Sequence, residues 1–170
     1  MPYQYRKSPR AFWHEYNGGL YFVTVCTKDK RHFFGRIRDG IMYHSKIGHF
    51  LKNELLNPGL HHGNVTVVNH VVMPNHFHAI IQISYQGISP DLDARMNKDL
   101  GAKRLPLLSQ YLGAIKGAVT RFARKNCIEF AWQERFHDHI IRNIEEEYRI
   151  AEYIDNNIAT WADDCFNKAL

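Results

Sequence analysis

Cysteine is scarce in this chain. Cys26, Cys127 and Cys165 are odd in number, far apart, and form no C-x-x-C pair. That excludes a disulfide framework and a cysteine zinc site, and it fits a reducing cytosol. Long hydrophobic runs are lacking too, since no stretch approaches the ~20 apolar residues of a membrane span. The opening Met1-Pro2-Tyr3-Gln4-Tyr5-Arg6-Lys7 has no apolar signal-peptide core. A cytoplasmic protein without a membrane partner is therefore expected. Internal repeats and low-complexity segments are absent. Acidic residues are outnumbered, 17 against 22 Lys and Arg, for a formal charge of +5 with 11 histidines besides. That balance favours a polyanionic partner.

At 170 residues the chain is long enough for one domain with a full core, spanning 1–170. Residues 1–19 read as an arm in which Arg6, Lys7 and Arg10 stand among aromatics, a composition suited equally to nucleic-acid contact and to a solvated tail tacked onto the core. A strand is predicted over 20–27, dense in β-branched and aromatic residues, then a basic loop over 28–40. A helix is predicted over 41–57, stopped by Pro58-Gly59. Strands follow over 65–73 and 76–84, then a mobile loop over 87–103. A long helix over 105–126, a fourth strand over 130–141 and a last helix over 143–163 complete the chain. The order β-α-β-β-α-β plus a C-terminal helix predicts an α+β, ferredoxin-like (RRM-like) antiparallel sheet with helices on one face. The other face is left for a site.

The stretch that organises the rest is Val71-Val72-Met73-Pro74-Asn75-His76-Phe77-His78-Ala79-Ile80-Ile81. Pro-Asn between two apolar runs reads as a turn between strands. His76 and His78 then leave one face of the second strand, their Cα atoms roughly 6.5 Å apart, within reach of one metal ion. Phe77, Ala79, Ile81 and Ile83 point the other way, as a core face does. Taken alone, H-x-H also describes two partly exposed polar residues on a hairpin.

The last helix has strong start signals, with Asn143 as N-cap, Glu146 three residues on, and Glu145 to Glu147 at the positive dipole end. Its apolar stripe is Ile144, Ala151, Ile154, Ile158 and Trp161, with Tyr148 at the edge as a core tyrosine. Tyr153 falls about 130° from the centre of that stripe, and Asn157 one turn later shares its side. A tyrosine not needed for packing, followed by a polar amide, suits a site-facing helix. It also suits a plain surface residue.

The two blocks Met73-Pro74-Asn75-His76-Phe77-His78 and Tyr153-Ile154-Asp155-Asn156-Asn157 together resemble the single-tyrosine HUH transposases of bacterial insertion sequences. The likeness is greatest to their repetitive-extragenic-palindrome-associated relatives. It runs from the first strand through Trp132-Gln133 and Phe136-His137-Asp138-His139 to the last helix. The resemblance implies metal ligands at His76, His78 and Asn157, a nucleophile at Tyr153, and Mg²⁺ or Mn²⁺. It also implies single-stranded or hairpin DNA as substrate, cut through a 5′-phosphotyrosine and rejoined. It leaves open a homodimer with composite sites. Where the relatives have proline after the helix asparagine, this chain has Ile158, which predicts a longer helix.

Ligand chemistry taken alone, two imidazoles and an amide oxygen, suits Mn²⁺ or Zn²⁺ better than Mg²⁺. His137 and His139 form a second H-x-H without a tyrosine-bearing partner helix, in a supporting or DNA-contacting role. Lys116, Arg121 and Arg124 on the long helix join the arm as candidate phosphate contacts. Two rival classes are a non-catalytic RRM-like nucleic-acid-binding module and a small metal-dependent hydrolase with Tyr153 incidental. The first needs aromatics on the sheet face where histidines stand.

Overall fold

A computed structural model describes residues 18–84 and 106–167. The central sheet has four strands, β1 (Gly19–Cys26), β4 (Val65–Val72), β5 (His76–Ile83) and β6 (His137–Ile141), in the order β4-β5-β1-β6. Every neighbouring pair is antiparallel. A separate ribbon pairs β2 (Gly35–Arg38) with β3 (Ile41–His44). The helices are α1 (Lys46–Leu56), α2 (Leu107–Lys125) and α3 (Ile144–Asn156). The α+β class and the antiparallel sheet are as the sequence predicts.

Alternation along the strands sorts the sheet into two faces. On one, Tyr21, Val23, Val25, Phe77, Ala79 and Ile81 are wholly buried beneath Leu51 and Leu55 of α1 and Leu112, Ile115 and Val119 of α2. On the other, α3 lies over β4 and β5 and seats Ile150, Ala151 and Ile154 against Leu20, Phe22, Val71, Ile80 and Ile141. Ile154 is the one residue of α3 buried outright. At ~25 cal/mol per Å² such a side chain contributes about 2 kcal/mol to docking.

The turn before β5 is braced on three sides. Asn75 O accepts from Thr27 N at 2.8 Å and from Thr27 Oγ1 at 3.0 Å, and Pro74 O accepts from Phe34 N at 2.9 Å. Phe34 in turn needs glycine at 48, because a Cβ there would stand 2.0 Å from Phe34 O.

Three boundaries and one burial differ from expectation. The segment 28–44 is not loop and helix: Asp39 and Gly40, at φ 52° and 71°, make the left-handed pair of a tight hairpin, and Ser45 caps α1 only afterwards. The fourth strand is confined to His137–Ile141, since Phe130 and Trp132 pack with Phe33 and Phe34 and their segment meets the end of β1 only through an isolated bridge, Trp132 to Thr27, flanked by Gln133 N donating to Cys26 O. Aromatic-rich sequence looks the same in either role. The last helix stops at Asn156 even without proline, where Thr160 N and Oγ1 both take the Asn156 carbonyl. Tyr148 is 70% exposed rather than at the core edge, because the stripe that docks is Ile150, Ala151 and Ile154, more than about 100° around the helix. The arm and the 87–103 loop fall almost wholly outside the described residues.

Candidate active site

β5 carries His76 and His78 on the face under α3, and both are buried, at 0% and 2% exposure, rather than partly exposed. Their Nε2 atoms face each other at 3.1 Å. Behind them, His76 Nδ1 meets Asn75 Oδ1 at 2.8 Å and His78 Nδ1 meets Thr24 Oγ1 at 2.8 Å. Phe22 stacks on His78 with ring centres 5.2 Å apart, and Phe166 covers His76 at 4.5 Å.

From α3, the Tyr153 hydroxyl comes to 3.3 Å from His78 Nε2, and its ring stands edge-on to Phe22. Tyr153 stays 45% exposed. Asn157 is 1% exposed, and its Oδ1 is buried without a hydrogen-bond partner. Thus β5 and α3 bring His76, His78 and Tyr153 together within a single chain, with the Asn157 side chain beside the phenol.

Electrostatics keep the pair uncharged. Burial lowers His76 to about 2, helped by the neighbouring His78 and by Lys30. Burial lowers His78 to about 4, against an opposing backbone contact at Val23 and with His137 adding to it. Burial also pushes the Tyr153 phenol up from its usual range, an effect that the Asn157 side chain opposes and Asp164 reinforces. Protons are therefore excluded where two ring nitrogens converge.

These residues fit a divalent cation. Two nitrogens each about 2.1 Å from one ion sit roughly 3.0–3.4 Å apart, which is the spacing seen here. Among the described residues no group of three or more His, Cys, Asp and Glu side chains is arranged to hold a metal. Asn157 Oδ1 is a neutral oxygen buried without a hydrogen-bond partner.

The other predicted residues fare differently. Arg6, Lys7 and Arg10 lie outside the described residues. Lys116 donates to the carbonyls of Gln133 and Glu134, at 2.7 and 3.1 Å, beside the Trp132 ring. It holds the 128–136 segment rather than facing the histidines. Arg121 and Arg124 are exposed on α2, on the opposite side of the sheet from the pair. On β6, His139 binds Glu146 at 2.8 Å, whereas His137 pairs in register with Thr24, which itself pairs with His78. An exposed imidazole thus shares the site face. Sequence reasoning missed Thr24, Asn75 and Phe166. Strand alternation marks Thr24 for this face, but nothing local marks the other two.

The fold is that of the tyrosine transposases. The structure of a REP-associated tyrosine transposase bound to a REP hairpin superposes with a TM-score of 0.60 at 17% identity, over 91% of this chain and 74% of that one. The chain belongs to the same family as an uncharacterized protein of Haemophilus influenzae, to which it is 35% identical over 168 residues, 94% of this chain and 92% of the relative. A solved structure from Deinococcus radiodurans, assigned as a transposase, aligns at TM-score 0.46 and 16% identity over 88% of this chain and 96% of that one. No family model matches the chain. Among the described residues no helix is long and apolar enough to cross a membrane.

Proposed function

We propose that this protein is a metal-dependent DNA strand transferase that nicks and rejoins single-stranded or hairpin DNA. The observation that carries the reading is the 3.3 Å approach of the Tyr153 hydroxyl to His78 Nε2, two residues 75 positions apart. The structural neighbour bound to a REP hairpin supports hairpin DNA as the substrate class. In the reaction the Tyr153 oxygen attacks a backbone phosphorus, forming a 5′-phosphotyrosine as the bond to the 3′-oxygen breaks. The phenolic proton is lost and the leaving oxygen takes one up, giving a 3′-hydroxyl that reverses the step. A cation held by His76, His78 and Asn157 would supply positive charge to a non-bridging phosphate oxygen. The protein's own part is positional. Phe22 and His78 fix the tyrosine ring, and the exposed His137 offers a donor to an adjoining phosphate.

We read the site as acting in cis, a reading supported by the approach of Tyr153 to His78 of its own chain. The binding-module and hydrolase alternatives leave the meeting of tyrosine and histidines unexplained. Incubating the protein with end-labelled single-stranded and hairpin DNA and Mn²⁺ is expected to give a denaturant-resistant covalent adduct that EDTA prevents. Absence of an adduct across both DNA forms counts against strand transfer.

Two further outcomes are expected. Asn157→Ala removes one neutral oxygen from the site, so the Mn²⁺ concentration for half-maximal cleavage should rise by about 10-fold or more while DNA affinity changes little. Cleavage titrated with metal alongside a mobility-shift assay separates the two. DNA affinity itself should fall steeply with salt, log Kd rising linearly with log salt at about 0.7 per neutralised phosphate for a single strand. A Kd flat between 50 and 200 mM salt, roughly the range over which such binding collapses, would remove the basic surface from the model.

A further inference from the structure

We propose that Asn75 is a positioning residue that dictates which nitrogen of His76 is free. Asn75 is fully buried, and its carboxamide has partners on both sides. Nδ2 donates to Lys30 O at 3.0 Å and to Phe166 O at 2.8 Å. Reversing the amide would set its oxygen against two carbonyl oxygens, so those two acceptors fix its orientation. Oδ1 is then left facing His76 Nδ1 at 2.8 Å. An amide oxygen only accepts, so the proton of His76 must sit on Nδ1, and Nε2 carries the lone pair toward His78.

The rest of the molecule holds this arrangement. The Thr27 N–H donates to the Asn75 carbonyl at 2.8 Å and holds the backbone of the residue in place. The Lys30 carbonyl comes from a turn in which Asp29 and Lys30 both take left-handed backbone, at φ 54° and 52°. Such a conformation is unfavourable for non-glycine residues and persists where the surroundings impose it. The Phe166 carbonyl belongs to a segment pinned by the Asp164 side chain, which accepts from Phe166 N at 2.7 Å. One amide therefore ties the histidine to two segments, 45 and 91 residues away in the chain. Its value to the site rests on the reading of His76 as a metal ligand, but the tautomer itself does not.

The test uses full-length metal-free protein with ¹⁵N-labelled histidine rings, read by long-range ¹H–¹⁵N correlation at pH 7. Wild-type His76, identified by its loss in His76→Gln, is expected to show a protonated Nδ1 and an unprotonated Nε2. In the wild type the acceptor on Nδ1 is the Asn75 amide oxygen. Asn75→Leu removes it and should give a mixed or Nε2-protonated ring, with Mn²⁺ affinity falling by about 10- to 100-fold. A wild-type His76 protonated on Nε2 overturns the proposal, as does an Asn75→Leu ring unchanged in tautomer. The wild-type spectrum decides even if the leucine variant does not fold. Mn²⁺ that fails to broaden the His76 and His78 signals, with the expected tautomer present, upholds the Asn75 assignment and removes the metal reading instead.

Discussion

Tyr153→Phe is expected to abolish covalent attachment to DNA, by roughly three orders of magnitude or more, with DNA affinity and fold retained. The substitution removes a single oxygen. The ring keeps its edge contacts with Phe22 and His78, at 6.1 and 5.3 Å. The lost hydrogen bond to His78 is long, at 3.3 Å, and half-exposed, so its removal costs about 1 kcal/mol or less. Tyr148 and Tyr111 cannot take over. Tyr148 is on the same helix but 70% exposed and away from the docked face, and Tyr111 is buried in the opposite layer. Tyr148→Phe should therefore leave adduct formation unchanged. The measurement is adduct yield on labelled DNA for both variants beside a mobility-shift titration. Adducts persisting in Tyr153→Phe, or vanishing in Tyr148→Phe, would sink the nucleophile assignment.

Acid should destabilise the metal-free protein unusually steeply. His76 and His78, at about 2 and 4, are held below the ordinary 6.5, so protons bind the unfolded chain first. Stability from this pair is complete above about pH 6.5 and is lost as pH falls. Between about pH 6 and 4.5 the unfolded chain holds between one and two more protons, a slope of roughly 2–3 kcal/mol per pH unit. Nearer pH 4, His78 begins to charge in the folded protein and the slope relaxes toward one proton. Burial lowers His32, His44 and His70 as well, in the same direction. Against a typical total of ~5–15 kcal/mol, the metal-free protein should unfold by about pH 5 to 4. Urea titrations in EDTA at pH 7, 6, 5.5 and 5 give the slope, and His78→Gln should lower it by about one proton. A stability that does not change between pH 6 and 5 would mean that the pair is not buried neutral.

Much of this site is local in origin. Strand alternation puts His76 and His78 on one face whatever the rest of the chain does, because successive side chains leave a pleated strand on opposite sides. Helical spacing likewise sets Tyr153 and Asn157 on one side of α3. The capping signal at Asn143 is equally local, and its side chain does accept from Glu146 N. The hairpin of β2 and β3 is also within reach, since Asp39-Gly40 is a turn pair, but strands only four residues long carry weak periodicity. Tyr148 misled because a stripe drawn through every apolar position of α3 included Ile144, which is 56% exposed.

Sequence alone thus determined the faces: which side chains of β5 and of α3 travel together, and that a tyrosine is left off the packing stripe. Tertiary structure decided what those faces meet. It buried the histidines under Phe166, and it turned Asn75 from a turn residue into the partner of His76 Nδ1. It assigned Lys116 to holding the 128–136 segment rather than to facing the site. These outcomes depend on contacts between segments far apart in the chain. Periodicity records the direction of a side chain relative to its own element, and it carries no information about which distant carbonyl or ring arrives on the other side.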